Sequence, residues 1–328
     1  MNLVLIDGNA IMHRAYHALP PLTNKDGQLT NAVYGFLSML LTITDKLKPT
    51  HVIVCFDRPE PTFRKGMYAG YQAKRPKMED DLSGQFALIK VALEKMDIPI
   101  YEKAGYEADD ILGTLAWQAF QMSNVKSQMS KVIIVTGDRD ILQLVDNSVS
   151  VYMPVQGLNN GKLFTPKEVT EKYGITPEQM VDYKALAGDA SDNYPGVRGI
   201  GPKTASRLLQ DFGTLENIYD AIRSKDPQMQ RVKEKTMSAL SEYAEDAGMA
   251  KKLARIVHDA PVTLRINEAK LKPFDTPESL EALQELGFAS LVKRVMGVEE
   301  KSNQQISKSA NKQKKQAKEN DSEQFSLV

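Results

Sequence analysis

Residues 131–138 read KVIIVTGD, a short Val/Ile-rich run that ends in an acid. The same device occurs twice more, in NLVLID at 2–7 and HVIVCFD at 51–57. Runs of β-branched residues bounded by turn residues signal strands. Between them lie helical patterns at Ala32–Lys48, Asp81–Met96 and Ala108–Met122. This alternation predicts an α/β fold, a mainly parallel central sheet flanked by helices. In such sheets a site forms beyond the carboxyl ends of the strands. Asp7, Asp57 and Asp138 all fall there.

Further acids cluster nearby in sequence: Glu107, Asp109 and Asp110 in YEADD, Asp140 in VTGDRD, and Asp189 and Asp192 in AGDASDN. Asp138 and Asp140 are two apart, so an extended chain sends both to one side. Glu107 and Asp110 are three apart, as are Asp189 and Asp192, and on a helix that spacing shares a face. Each pair alone is also explained by helix capping, but convergent carboxylates repel unless cations neutralise them. Hard oxygen ligands suit Mg²⁺ or Mn²⁺ and not zinc. Carboxylates around two such ions, roughly 4 Å apart, are suited to cutting phosphodiesters.

The composition fits this reading. Lys+Arg and Asp+Glu are both 42, giving a formal net charge of zero, which alone argues weakly against a nucleic-acid binder. With nine acids committed to metal, the remaining surface is net positive. The single cysteine, Cys55, lies inside an apolar run, so no disulfide framework exists and a reducing cytoplasm is expected. The run Leu3–Ile6 is too short for a signal peptide, and no stretch reaches membrane-spanning length.

Residues 58–77, RPEPTFRKGMYAGYQAKRPK, hold Arg58, Arg64, Lys65, Lys74, Arg75 and Lys77 against one acid, Glu60. Phe63, Tyr68 and Tyr71 are interleaved, a mixture suited to phosphate neutralisation and base stacking. From Ile175 onward the pattern turns helical. In YPGVRGIGPKTASRLLQDFG, Gly199 and Gly201 let the backbone approach a ligand, and Pro202 opens a helix. Its N-terminal amides, with Lys203, Thr204 and Arg207 beside them, suit a phosphate. This is a helix–hairpin–helix signature, over about 189–213. Helices are also expected at Gln228–Ala247, Met249–Val257 and Pro277–Met296, with Phe274, Leu280, Leu283, Leu286 and Phe288 as core. Residues 299–328 have almost nothing to bury and read as a disordered tail.

Five segments together resemble the amino-terminal 5′ nuclease domain of bacterial DNA polymerase I and its free-standing relatives, within the flap endonuclease family. They are LIDGNAIMHRAYHAL, CFDRPEPTFRKGMYAGYQAKRP, GYEADDILGTLA, VTGDRDILQLV and ALAGDASDNYPGVRGIGPKTA. The resemblance covers about residues 1–297. It implies a PIN-like nuclease core at 1–174 with a helical arch at about 58–80, and a helical DNA-binding subdomain at 175–298. The implied activity is a 5′-3′ exonuclease and structure-specific flap endonuclease that leaves 5′-phosphates. Asp7, Asp57, Glu107, Asp109, Asp110, Asp138, Asp140, Asp189 and Asp192 match the family's metal-binding acids. The first of these, Asp7, Asp57, Glu107 and Asp109, are expected nearer one ion, and Asp138, Asp140, Asp189 and Asp192 nearer the other. Tyr71 and Arg75 match a YKxxR signature in which the tyrosine stacks on a frayed base. Its lysine is Gln72 here, which leaves Arg64, Lys74 or Arg75 as the candidate transition-state cation.

The implied cofactors are two Mg²⁺ ions, replaceable by Mn²⁺, with K⁺ a further candidate at the hairpin. The implied partner is branched or nicked DNA with a 5′ end or flap, met by a monomer in the cytoplasm at the nucleoid. Taken as a whole protein, the chain has no polymerase, so a separate one is an implied partner. Gln324, Phe325, Ser326, Leu327 and Val328 resemble the pentapeptide that docks bacterial replication proteins on the sliding clamp, with Val328 replacing its terminal aromatic. Two alternatives stay open: a non-catalytic scaffold for branched DNA, and a ribonuclease directed at RNA primers.

Overall fold

Alternation along three apolar strands sets the layers of the protein. In the computed structural model, which describes residues 1–126, 131–156 and 160–297, β1 (Asn2–Asp7), β2 (His51–Cys55) and β4 (Lys131–Val135) are central parallel strands. With β3 (Ile100–Tyr101), β5 (Val149–Gln156) and β6 (Asn160–Phe164) they make one sheet of order β3-β2-β1-β4-β5-β6. All pairs are parallel except β5 with β6, an antiparallel edge. Leu3, Leu5, Ile53, Cys55, Val132 and Ile134 join one core with Ile111, Leu112 and Leu115 of α5 (Ala108–Lys126). The alternate residues Val4, Ile6, Val52 and Val54 are also buried, so both sheet faces are covered.

On the other face lie α1 (Gly8–Ala18), α2 (Asn31–Leu47) and α4 (Asp80–Lys95), which pack on one another. Phe56, just past β2, is 6.5 Å from Phe36 of α2 and 5.9 Å from Phe86 of α4, ring centre to ring centre. It forbids a side chain at Gly8, where a Cβ would lie 2.3 Å from its ring. Between β2 and α4, helical structure in the basic segment is confined to α3 (Phe63–Met67). Beyond Met67, Gly70 and Pro76 disfavour any longer helix there.

After β6 the chain is helical: α6 (Pro166–Tyr173), α7 (Met180–Ala187), α8 (Pro202–Phe212), α9 (Leu215–Ser224), α10 (Glu234–Glu242) and α11 (Ala244–Ala254). The helix expected at Gln228–Ala247 is broken. A 3₁₀ turn covers Pro227–Arg231, and α10 and α11 part at Tyr243. Met1–Pro273 form one compact unit, and the described residues from Phe274 onward belong to a second. In the second, the helix expected at Pro277–Met296 is two helices, α12 (Pro277–Glu285) and α13 (Ala289–Val295). Gly287 separates them at φ +77°. The tail at 299–328, with its terminal pentapeptide, lies outside the described residues. Among the described residues, no helix is long and apolar enough to cross a membrane.

Candidate metal centre

Parallel pairing places the ends of β1, β2 and β4 side by side, and the acids follow. Asp7 ends β1 and caps α1, accepting from the Ala10 amide at 2.9 Å and the Thr136 hydroxyl at 2.6 Å. Asp57 lies just past β2 and accepts from the Ala108 amide at 2.7 Å, at the start of α5. Its own amide donates to Asn9 Oδ1 at 2.9 Å. Asp138 follows β4, donates its amide to Thr136 Oγ1 at 2.9 Å and accepts the Asp140 amide at 2.8 Å. Each anchor takes only part of a carboxylate's capacity, leaving oxygens for a ligand.

Burial sets the electrostatics of this group. Asp7 is pushed up to about 7, first by burial and then by the charges of Asp57 and Asp138. Burial raises Asp57 and takes Asp109 well above the ordinary range, with Asp138, Asp7, Asp57 and Glu107 adding repulsion at Asp109. Glu107 is raised to about 7, again mainly by burial, although Arg64 opposes the shift. Buried acids that repel one another call for a cation.

A second group already holds one. Single carboxylate oxygens of Asp140, Asp189 and Asp192 lie within 4.8 Å of one another. Lys184 of α7 sends its ammonium between two of them, 2.5 Å from Asp140 Oδ1 and hydrogen-bonded to Asp189 Oδ2. Burial alone would lower the lysine, but the two acids raise it above its ordinary value. Burial and Asp138 lift Asp140 to about 7. Asp189 ends below the usual range, because bonds from Lys184 and Ser191 outweigh its burial. All-oxygen donors already gathered about a positive charge fit a hard divalent ion. Asp138 stands between the groups: its amide meets the Thr136 hydroxyl that binds Asp7, and its carboxylate accepts the Asp140 amide.

The basic segment contributes differently from expectation. Arg64 is not a free cation: it is 2% exposed and binds Asp110 through both terminal nitrogens, at 2.7 and 2.8 Å. It also donates to the Leu253 and Arg255 carbonyls at 2.9 and 2.8 Å. Asp110, expected among the metal-holding acids, is 0% exposed and accepts further from the Glu107 and Val257 amides at 3.1 Å each. Both of its oxygens are engaged by protein donors. Tyr71, expected to face a base, is buried on Tyr194, with rings 6.4 Å apart and 16° from parallel. Its hydroxyl bridges Glu107 Oε2 at 3.1 Å and Asp192 Oδ2 at 3.2 Å. Arg75 reaches Asp192 Oδ1 at 2.9 Å, and Lys74 is exposed. Lys184 is the participant that the sequence reading missed. Its signal was a lysine five residues ahead of Asp189 on a helical pattern.

The hairpin lies between α7 and α8. Gly199 has φ +88° and Gly201 caps α8, whose first residue is Pro202. Gly199, Gly201, Lys203 and Arg207 are exposed, with Thr204 partly so, while Ile200 is buried beneath them. Ala205, Leu208 and Leu209 bury the opposite side of α8, so its first amides face outward with two cations alongside.

Comparison with known proteins agrees with this arrangement. The profile of the 5′-3′ exonuclease N-terminal resolvase-like domain matches residues 2–174, and that of the 5′-3′ exonuclease C-terminal SAM fold matches 175–277. DNA polymerase I of Bacillus caldotenax is 43% identical over 294 residues, 89% of this chain and 32% of that protein. DNA polymerase I of Bacillus subtilis (strain 168) is 39% identical over 293 residues, again 89% and 32%. The chain thus spans about a third of the length of these curated relatives. Among solved structures, T5 D15 protein co-crystallised with metal ions superposes with a TM-score of 0.61 at 20% identity, covering 91% of this chain and 99% of that one. The catalytic core of Rad2 in complex with DNA substrate gives 0.55 at 14%, covering 89% and 90%. These two likenesses concern the fold. On the profile matches and the identity to its relatives, the chain belongs to the 5′-3′ exonuclease family.

Proposed function

We propose that this protein hydrolyses DNA phosphodiesters as a 5′-3′ exonuclease and 5′-flap endonuclease, using two Mg²⁺ ions for which Mn²⁺ can substitute. The observation that carries the reading is the gathering of Asp140, Asp189 and Asp192, with the Lys184 ammonium on the first two, beside the buried acids that end β1, β2 and β4. Asp140, Asp189 and Asp192 would hold one ion; Asp7, Asp57, Asp109 and Glu107 would hold the other, with Asp138 between. Bound divalent ions supply Lewis-acid polarisation of the phosphoryl oxygens and a lowered pKa for bound water.

The chain's own groups supply the positioning. Amides at Gly199, Gly201, Lys203 and Thr204, with Arg207, would hold the duplex by its phosphates without reading bases. K⁺ at the hairpin carbonyls is part of the same proposal. Arg75, half-exposed beside Asp192, is the proposed cation for the scissile phosphate, with exposed Lys74 to guide the strand. Arg64 and Asp110 are proposed as the frame that seats the basic segment. The DNA partner would be branched or nicked, with a 5′ end or flap, acted on by a monomer. Contact of residues 324–328 with a sliding clamp, and work beside a polymerase, extend the proposal to replication and repair.

The test is cleavage of a labelled 5′-flap duplex in Mg²⁺, in Mn²⁺ and in EDTA. Cutting near the junction with 5′-phosphate products, abolished by EDTA, is expected. Tight binding of the flap without cutting in either metal would favour the scaffold reading.

A further inference from the structure

The basic segment and the prospective metal ligands compete for the same atoms. Asp192 Oδ1 accepts from Gln72 Nε2 at 3.2 Å and from Arg75 Nη2 at 2.9 Å, and Oδ2 accepts from the Tyr71 hydroxyl at 3.2 Å. A carboxylate oxygen has two lone pairs, so Oδ1 is fully engaged. The backbones are tied as well: the Gln72 amide donates to the Asp192 carbonyl at 2.8 Å, and Asn193 Nδ2 donates to the Gly70 carbonyl at 2.7 Å. Gln72 and Asn193 both sit at positive φ, +53° and +55°, a conformation that asparagine adopts readily but glutamine rarely does without support. One strained residue, Gln72, five hydrogen bonds and the Tyr71–Tyr194 stack thus close residues 70–75 onto one acid of the cluster.

We infer that residues 70–75 form a latch on Asp192 that is released when a divalent ion binds the Asp140–Asp189–Asp192 cluster. It rests on the metal reading above. The device is a competition: metal needs Asp192 oxygens that Gln72, Arg75 and Tyr71 now hold. Whatever frees the segment therefore tightens the metal, and metal frees the segment, by the same factor. The Gln72 side chain is a neutral clasp, held on the Asp192 carboxylate by one hydrogen bond. A lysine at this position would pair with Asp192 as a full charge and hold the latch more firmly.

The experiment follows amide hydrogen exchange over residues 68–77 with and without saturating Mn²⁺, alongside Mn²⁺ affinity by calorimetry. Exchange in this segment is expected to speed up severalfold with Mn²⁺. Gln72→Asn, which tolerates positive φ but is too short to clasp, is expected to bind Mn²⁺ roughly threefold to tenfold more tightly. Gln72→Lys is expected to bind it more weakly and to slow exchange in the segment. Mn²⁺ that binds yet leaves exchange unchanged or slower overturns the latch alone. No Mn²⁺ binding at all overturns the latch and the metal reading together. The exchange arm uses the unaltered protein, so misfolding of a variant does not blunt the test.

Discussion

Arg64 and Asp110 are paired in the interior, with both terminal guanidinium nitrogens on both carboxylate oxygens at 2.7 and 2.8 Å. The pair joins α3 to the first turn of α5, and Arg64 extends it to the Leu253 and Arg255 carbonyls just at the end of α11. It is therefore a three-way tie between the basic segment, the acid-bearing helix and the helical region. Removal of one partner leaves a buried charge without its counterpart. Arg64→Ala or Asp110→Ala is expected to lower unfolding free energy by about 3–5 kcal/mol. Arg64→Lys should recover little, because an ammonium cannot reproduce the fork. Urea unfolding measures both; a loss below about 1 kcal/mol would mean that the pair is not what seats the segment.

Lys184 bridges two acids, Asp140 and Asp189, that would otherwise repel. Lys184→Met is expected to lower the metal-free melting temperature and to enlarge the rise produced by Mg²⁺, since the ion then meets an uncompensated cluster. Calorimetric melts with and without Mg²⁺ decide the point. An unchanged metal-free melt would contradict the role given to this ammonium.

Both Lys184 and the Arg64–Asp110 pair show where sequence reading stops. The strands ending in Asp7, Asp57 and Asp138 were legible because apolar β-branched runs mark strands and the parallel layout fixes where their ends go. The hairpin was legible because Gly199, Gly201 and Pro202 each answer a backbone requirement. Partner choice among charges was not. Nothing local distinguishes Asp110, which faces Arg64, from Asp109 one residue earlier; only the helical turn that aims each of them does. In sequence Lys184 is one lysine among many, and only the course of α7 brings it to Asp140. The long helices expected at Gln228–Ala247 and Pro277–Met296 failed at Tyr243 and Gly287, where tertiary packing and a positive φ outweigh a continuous polar–apolar pattern.

Stability should respond to pH in a direction set by the raised acids. Asp7, Glu107 and Asp140 lie at about 7 in the folded, metal-free protein, against ordinary values of 3.8, 4.5 and 3.8. Between the ordinary and the folded values, the folded state retains protons that the unfolded chain has released. Stability contributed by these groups is therefore greatest at low pH and falls as pH rises to about 7. Metal binds the ionised form, so the Mn²⁺-induced rise in melting temperature should be small near pH 5.5 and larger near pH 8 (about these values). An equal rise at both would contradict the assignment.

The turn bearing Asp189 and Asp192 depends on close backbone approach. A Cβ at Gly196 would lie 2.3 Å from the Gly188 nitrogen and 2.5 Å from the Leu186 carbonyl oxygen. Those are backbone atoms and cannot swing aside. Gly196→Ala is expected to cost about 1–3 kcal/mol and to weaken Mn²⁺ binding by displacing Asp189. Unaltered Mn²⁺ affinity in a folded variant would show that the cluster does not depend on this turn.

Charge on the strand-end acids is what the proposed cleavage depends on. Asp57→Asn and Asp138→Asn keep an oxygen for the Ala108 and Asp140 amides while removing that charge. Single-turnover cleavage of a 5′-flap duplex in Mg²⁺, with flap affinity measured on the same preparations, tests it most directly. A fall in rate of about 100-fold or more is expected in each variant with flap binding retained. Cleavage at the unaltered rate in either variant would contradict it.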